Sequence, residues 1–241
     1  ARGGGDVQAL GKRTRWSTTW GYPIELYSDI LSFAREHRLR LCGLNTPYPI
    51  IQAVARSGLD GLGPDLKPFL PNVDLSNRDH RRRFAESMGG RMDTESDALI
   101  PPENDSHGAM SAAEMQRSYE AMTLWDEFMA SSIAGYVSAE PKLGAGPNGG
   151  MSTGRERMVV MAGSSHVRGR VGMPDRFTRR TNLTTFTVLP MSVPWPAAGS
   201  PRGLARLPDT EADWVVYTKP QVREGLSLVS SRRLERSAIF I

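Results

Sequence analysis

"MVVMAGSSHVRGRVGMPDRFTRR", residues 158–180, is the stretch on which the reading of this chain turns. The apolar run from Met158 to Met161 has the length of a buried strand, with Arg157–Ala162 as its expected extent. It leads straight into Gly163-Ser164-Ser165-His166. A glycine there permits a tight exit and a close backbone approach. Ligands of open α/β sheets sit beyond the carboxyl ends of the strands, so Gly163 and His166 are expected at a functional rim. The structural alternative makes Ser164 and Ser165 caps and His166 a satisfied core histidine. Arg168, Arg170, Arg176, Arg179 and Arg180 follow. Arginine suits two-pronged recognition of a carboxylate or phosphate, and the plain alternative is a solvated basic face. Pro174 marks a helix start, with Asp175 in the first turn where the helix dipole favours it.

Upstream, Ser111-Ala112-Ala113-Glu114 fits a capping box. The helix it opens carries Met115, Tyr119, Met122, Met129, Ile133 and Tyr136 at helical spacing and is expected to run to about Val137. Asp126 falls on that apolar stripe, where an unpaired carboxylate is costly. Its expected partner is an arginine of 168–180, a backbone cap, or His166.

Closer to the N-terminus, Pro23 to His37 reads as a helix through Tyr27, Leu31 and Ala34, with Ile30 and Phe33 beside them. Leu39–Leu44 reads as a strand ended by Asn45-Thr46-Pro47, which places Asn45 at a second strand end. Ile50, Ile51, Val54 and Ala55 trace another helix closed by Gly58. Strands are expected over Leu183–Leu189 and Asp213–Thr218. This alternation predicts an α/β fold with a largely parallel sheet, flanking helices and long irregular loops at 59–110 and 190–212. The glycines of 144–150 lack a following Lys-Ser/Thr, so they read as a connection and not as a phosphate loop.

With 241 residues, 39% hydrophobic and 23% charged, one globular domain is expected. Residues 1–15 read as a flexible lead-in and 221–241 as a C-terminal extension. Cys42 is the single cysteine, which excludes an internal disulfide. No run reaches the roughly 18 apolar residues of a membrane span. The net charge of +4, with arginines clustered at 155–180 and 231–236, admits an acidic small molecule or a peripheral membrane surface as partner. No basic-aromatic motif accompanies them, so nucleic acid is not expected. His37, His80, His107 and His166 are scattered without ligand spacing, and Gly163-Ser164-Ser165-His166-Val167 lacks the second glycine of a nucleophile elbow, so neither a metal site nor a serine hydrolase is predicted. The chain starts at Ala1, from which a removed targeting segment or a longer parent chain is expected.

Five stretches taken together carry a resemblance: "FAREHRLRLCGLNTP" (33–47), "VARSGLDGL" (54–62), "LWDEFMASSIAGYV" (124–137), "VVMAGSSHV" (159–167) and "GMPDRFTRR" (172–180). In order and spacing, over about residues 16–220, they resemble the ChaN-like haem-binding uptake family of the Tiki superfamily. The resemblance implies an α/β domain and, as ligand, haem or a related tetrapyrrole, with a homodimer or other protein partner. The family's Asp-Glu-x-Met-Ala corresponds to Asp126-Glu127-Phe128-Met129-Ala130, its Gly-x-Gly-His to Gly163-Ser164-Ser165-His166, and its Gly-Ile/Val-Pro-x-Arg to Gly172-Met173-Pro174-Asp175-Arg176. The implied ligand-binding set is His166, Arg176, Asn45, Asp126 and Gly163, with His166 and Arg176 near the ligand's carboxylates. The family's opening Gly-Glu-x-His is not found here, Ser165 stands at the second glycine and Arg168 at a position often aromatic. Catalysis is therefore not expected. Two other readings stand beside ligand binding: an accessory or scaffold subunit of a larger organellar membrane complex, with a chloroplast location, and a Tiki-type hydrolase or metal-dependent protease.

Overall fold

The computed structural model describes residues 6–19, 22–102, 110–138, 158–193 and 211–219. In chain order the helices are α1 (Val7–Arg13), α2 (Trp16–Thr19), α3 (Ser28–Glu36), α4 (Tyr48–Ser57), α5 (Arg78–Ser87), α6 (Ala112–Ser138), α7 (Ser164–Val167) and α8 (Met173–Thr181). The strands are β1 (Arg91–Met92), β2 (Leu99–Ile100), β3 (Val188–Ser192) and β4 (Trp214–Thr218).

The capping box forms as expected. Glu114 N donates to Ser111 Oγ at 3.2 Å, and Ser111 N donates to Glu114 Oε2 at 2.8 Å. From there α6 runs as the spine of the molecule. Met115 and Tyr119 pack with Phe84, Ala85 and Leu99; Ala121 and Leu124 with Ile51, Val54 and Leu62; Met129, Ala130 and Ile133 with Leu44, Met173 and Phe177. The helical spacing of Met115 to Tyr136 predicts a single apolar stripe. Over its middle turns α6 is instead covered on all sides, because α4, α5 and α8 each take a different face. A fourth cluster, Trp16, Ile24, Tyr27 and Leu31, ties the N-terminal helices together.

Several helical expectations hold: α3 buries Leu31 and Ala34 and exposes Ile30 and Phe33, α4 ends at Gly58, and α8 starts with Pro174 and Asp175 in its first turn. Within the expected lead-in, residues 7–13 form α1, because Asp6 caps it by accepting from Ala9 N at 2.7 Å. The glycine-rich connection, most of the 190–212 loop and the 221–241 extension lie outside the described residues.

The sheet departs from expectation. Among the described residues no large parallel sheet forms. β1 and β2 make a two-residue antiparallel pair, and β3 and β4 a parallel pair in which Val188 faces Trp214 and Met191 faces Tyr217. Leu39–Leu44 and residues 158–162 are not strands. Their covered apolar residues lie against helices, with Met161 packing on the Trp16 cluster. Met158, Val160 and Ala162 pack on the Met129–Met173 cluster, whereas Val159 is 88% exposed, and Leu44 is buried while Leu39 and Leu41 are exposed. The runs therefore act as irregular covers, Leu44 and residues 158, 160 and 162 over α6 and α8 and Met161 over the N-terminal helices.

Candidate functional site

At the middle of α6, Asp126 and Glu127 are both buried, and the surrounding elements converge on them. The turn from 158–163 into α7 delivers His166, which is 1% exposed. Its Nδ1 donates to Asp126 Oδ1 at 2.6 Å. From the other side, α5 delivers His80, whose backbone N donates to the capping Asn77 Oδ1 at 2.9 Å. His80 Nε2 stands 3.0 Å from Asp126 Oδ2. That approach is off the line of a full hydrogen bond, so Oδ2 has a close polar neighbour without an aligned donor.

Arg176 closes the cluster. Its Nε donates to Glu127 Oε1 at 3.1 Å, its Nη1 to the carbonyls of Val171 and Gly172 at 3.0 and 3.1 Å, and its Nη2 to the carbonyl of Asp74 at 3.4 Å and to His80 Nδ1 at 3.2 Å. All five guanidinium donors are thereby used in the interior. A guanidinium can only donate, so His80 Nδ1 carries no proton. The neutral ring then holds its proton on Nε2, facing Asp126. Burial is the main force keeping His80 neutral and lowers its pKa, and the attraction of Asp126 does not overcome it. For Asp126, burial alone would raise the carboxyl, but His166, through its charge and hydrogen bond, and the nearby Nε2–H of His80 outweigh it and hold the pKa well below the ordinary carboxylate range. Gly172 lets the turn settle on this carboxylate. A Cβ there would lie 2.5 Å from the His166 carbonyl oxygen and 3.0 Å from Asp126 Oδ2.

Four of the five expected ligand-binding residues meet through one chain of contacts. Asn45 Oδ1 accepts from Trp125 Nε1, the Trp125 ring stands edge-on to His166 at 5.6 Å, His166 binds Asp126, and Arg176 Nη1 lies 3.9 Å from Asp126 Oδ2. The fifth, Gly163, is the N-cap of α7, and its carbonyl accepts from His166 N at 3.0 Å. Of the three partners weighed for Asp126, His166 binds it directly and an arginine, Arg176, stands 3.9 Å away. His166 and Arg176 are enclosed, whereas Asn45 is exposed.

A cleft of ≈ 290 Å³ opens beside this cluster. His80 forms part of its wall, with Phe84, Met122 and Val171 as apolar lining and Ser165, Arg83, Arg168 and Glu211 among its polar groups. Glu211 lies three residues before β4, and its carboxylate accepts from Arg83 Nη1 at 2.8 Å and from Arg168 Nε. A larger concavity, ≈ 480 Å³, lies against α1 and α2 around Lys12, Trp16 and Tyr22. None of the buried cluster borders it, so the smaller cleft is the candidate site.

His80, Glu127, Arg83 and Glu211 were not among the expected residues, whereas Arg168 is one of the five arginines read from the sequence as able to clamp a carboxylate. Only His80 left a usable sequence signal: it precedes Phe84 by one helical turn on a helix begun by Asn77. Among the described residues no three His, Cys, Asp or Glu side chains are arranged to hold a metal ion. The two imidazoles grip one carboxylate instead of converging on a common point.

A buried polar cluster beside an open, mixed-charge cleft with apolar lining has the make-up of a ligand site. The family profile described as "Haem-binding uptake, Tiki superfamily, ChaN" matches residues 2–177, and the chain belongs to that family. The matched span contains Asn45, His80, Asp126, His166 and Arg176, and it stops before β3, β4 and Glu211. No curated protein and no solved structure matches the chain.

Proposed function

We propose that the chain binds haem or a related tetrapyrrole at the cleft beside His80, as a binder and not as a catalyst. One observation carries the reading: two arginines, Arg83 and Arg168, face the same cleft beside apolar Phe84, Met122 and Val171. Paired guanidinium groups suit a carboxylate edge, and the apolar lining suits the ring behind it. At ≈ 290 Å³ the cleft admits one edge of a macrocycle, so the remainder lies outside and is covered by a second surface, as in a homodimer.

The residues fit the acidic edge of the group and offer its iron little. Both ring nitrogens of His80 are committed, Tyr119 is fully buried, and of the cleft residues Met122 presents only a weakly ligating thioether. Bound haem would supply its usual iron chemistry. The residues of this chain would hold its carboxylates and exclude water from one ring edge. Asp126, Arg176 and Glu127 are positioning residues that fix His80 and the His166 turn.

Titration with haem and with iron-free protoporphyrin IX, followed by Soret absorbance and porphyrin fluorescence, tests the reading. Both are expected to bind with affinities within a few-fold of each other. No spectral change at stoichiometric protein, or binding of haem alone, would overturn it.

The accessory-subunit reading has its own support. The outer face of β3 and β4 exposes Phe186, Val188, Trp214 and Val216, with Phe186 and Trp214 edge-to-face at 5.9 Å. Parallel strands are ordinarily covered on both faces. A native mass in gentle extracts well above 26.5 kDa, reduced by Trp214→Ser, is the expected result. A 26.5 kDa species in those extracts would sink this second reading.

A further inference from the structure

The Glu211 carboxylate is held in a manner that invites replacement. It takes Arg83 from α5 and Arg168 from the turn after α7, and its side chain is 9% exposed while Arg168 remains 48% exposed. The turn is shaped around this grip. Gly169 has φ +72°, and a Cβ there would stand 2.5 Å from Arg83 Nε and 2.6 Å from its Cζ. The bare glycine lets the Arg83 guanidinium lie against the turn. Gly169 N also donates to the Glu211 carbonyl at 2.7 Å, and Arg170 Nη1 reaches Asp213 Oδ1 at 3.1 Å, so the strand leading into β4 is latched to the same three-residue turn. Two cations from separate elements thus converge on a single carboxylate at the wall of a cleft.

We infer that Arg83 and Arg168 form a carboxylate-binding site and that Glu211 is its internal occupant, displaced when the carboxylate of a ligand enters the cleft. This rests on the proposed ligand class for the size of the ligand, but the site itself requires only a carboxylate. Exchange conserves the number of ion pairs. The incoming carboxylate takes the two arginines, and the released Glu211 carboxylate swings from the cleft wall into water, following Arg168, which already reaches solvent. Displacement also frees the side-chain half of the latch on β4 while the Gly169 N to Glu211 O bond remains. A site blocked by its own side chain binds with an apparent dissociation constant raised by the inverse of the open fraction. Glu211 therefore lowers affinity, and its removal raises it.

The experiment uses the full chain and three substitutions: Glu211→Gln, Glu211→Asp and Arg168→Gln. The first probe is protoporphyrin IX against its dimethyl ester, which lacks free carboxylates. The second is sodium propionate, followed by the ¹⁵N–¹H resonance of the Arg168 Nε. Expected results are a gain of about tenfold in affinity for the free acid in Glu211→Gln, corresponding to an open fraction of about one tenth in the parent. A smaller gain is expected in Glu211→Asp, which keeps the charge but shortens its reach, together with a loss in Arg168→Gln and no change for the ester. Propionate should give a saturable Arg168 Nε shift at lower concentration in Glu211→Gln than in the parent. If porphyrin binds and both Glu211 variants bind it as the parent does, the inference is overturned and the tetrapyrrole reading stands. If no porphyrin binds yet propionate saturates the Arg168 signal, the ligand class falls and the carboxylate site stands. A propionate response that never saturates in any variant that folds overturns the inference independently of porphyrin.

Discussion

Two carboxylates, each held between basic side chains, differ in what surrounds them. Asp126 sits in the centre of α6 with no exposed surface, between His166 and His80, and its neighbour Arg176 has spent every donor inside the protein. Glu211 sits at a cleft wall between Arg83 and Arg168, both of which reach solvent. Charge pairing is common to both; access to water is not. Where water is excluded, losing a partner strands a charge in a medium that cannot solvate it, so the arrangement is permanent architecture. Where water is near, the same pairing is weak enough to be exchanged.

The contrast can be tested from its strongest end. Asp126→Ala should cost roughly 3–5 kcal/mol, the range for breaking a buried pair, read as a lowered urea midpoint with the slope retained. A cost below about 1 kcal/mol, the value typical of exposed pairs, would erase the distinction. Titration gives the next test. The folded His80 stays neutral below its ordinary value of 6.5 while the unfolded chain takes up a proton, so stability should fall as pH drops through 6.5, by up to about 1.4 kcal/mol per pH unit. The depressed Asp126 acts in the same direction lower down, its contribution being lost as pH falls below about 3.9. Melting temperature against pH in the parent and in His80→Gln checks this: the slope between pH 6.5 and 5 should flatten in the variant. Gly172→Ala, which drives a methyl into the His166 carbonyl, should cost about 1–3 kcal/mol as an overpacked site. The smallest effect belongs to the surface. Arg82 pairs with Asp79 and Glu86 on the outer side of α5, and Arg82→Ala should change stability by no more than about 0.5 kcal/mol.

How far the sequence foretold this arrangement depends on the range of the forces involved. Capping and helical spacing are local, so Ser111-Glu114, the course of α6, the proline start of α8 and the Gly58 terminus could all be read directly. Asp126 was legible as a carboxylate in need of a partner, because its place on an apolar stripe is a single-helix property. His80 was not, since its pairing joins residues far apart in the chain and no short spacing records it. The sheet was overread for a different reason. A short apolar run shows that residues are covered without showing whether a neighbouring strand or one helix face does the covering. Leu44, Met158, Val160 and Ala162 pack on the cluster shared by α6 and α8 while Leu39, Leu41 and Val159 are left bare. Glu211 gave no signal at all, because an acidic residue before a strand is ordinary until its two arginines are placed.

The bare outer face of the β3–β4 ribbon has a practical consequence for anyone handling the purified molecule. Phe186, Val188, Trp214 and Val216 form an exposed greasy patch along and just before these paired strands. Dyes that brighten on contact with such patches are commonly used to diagnose loosely packed states. Here they should light up on the native fold, so fluorescence of that kind alone would condemn sound preparations as damaged.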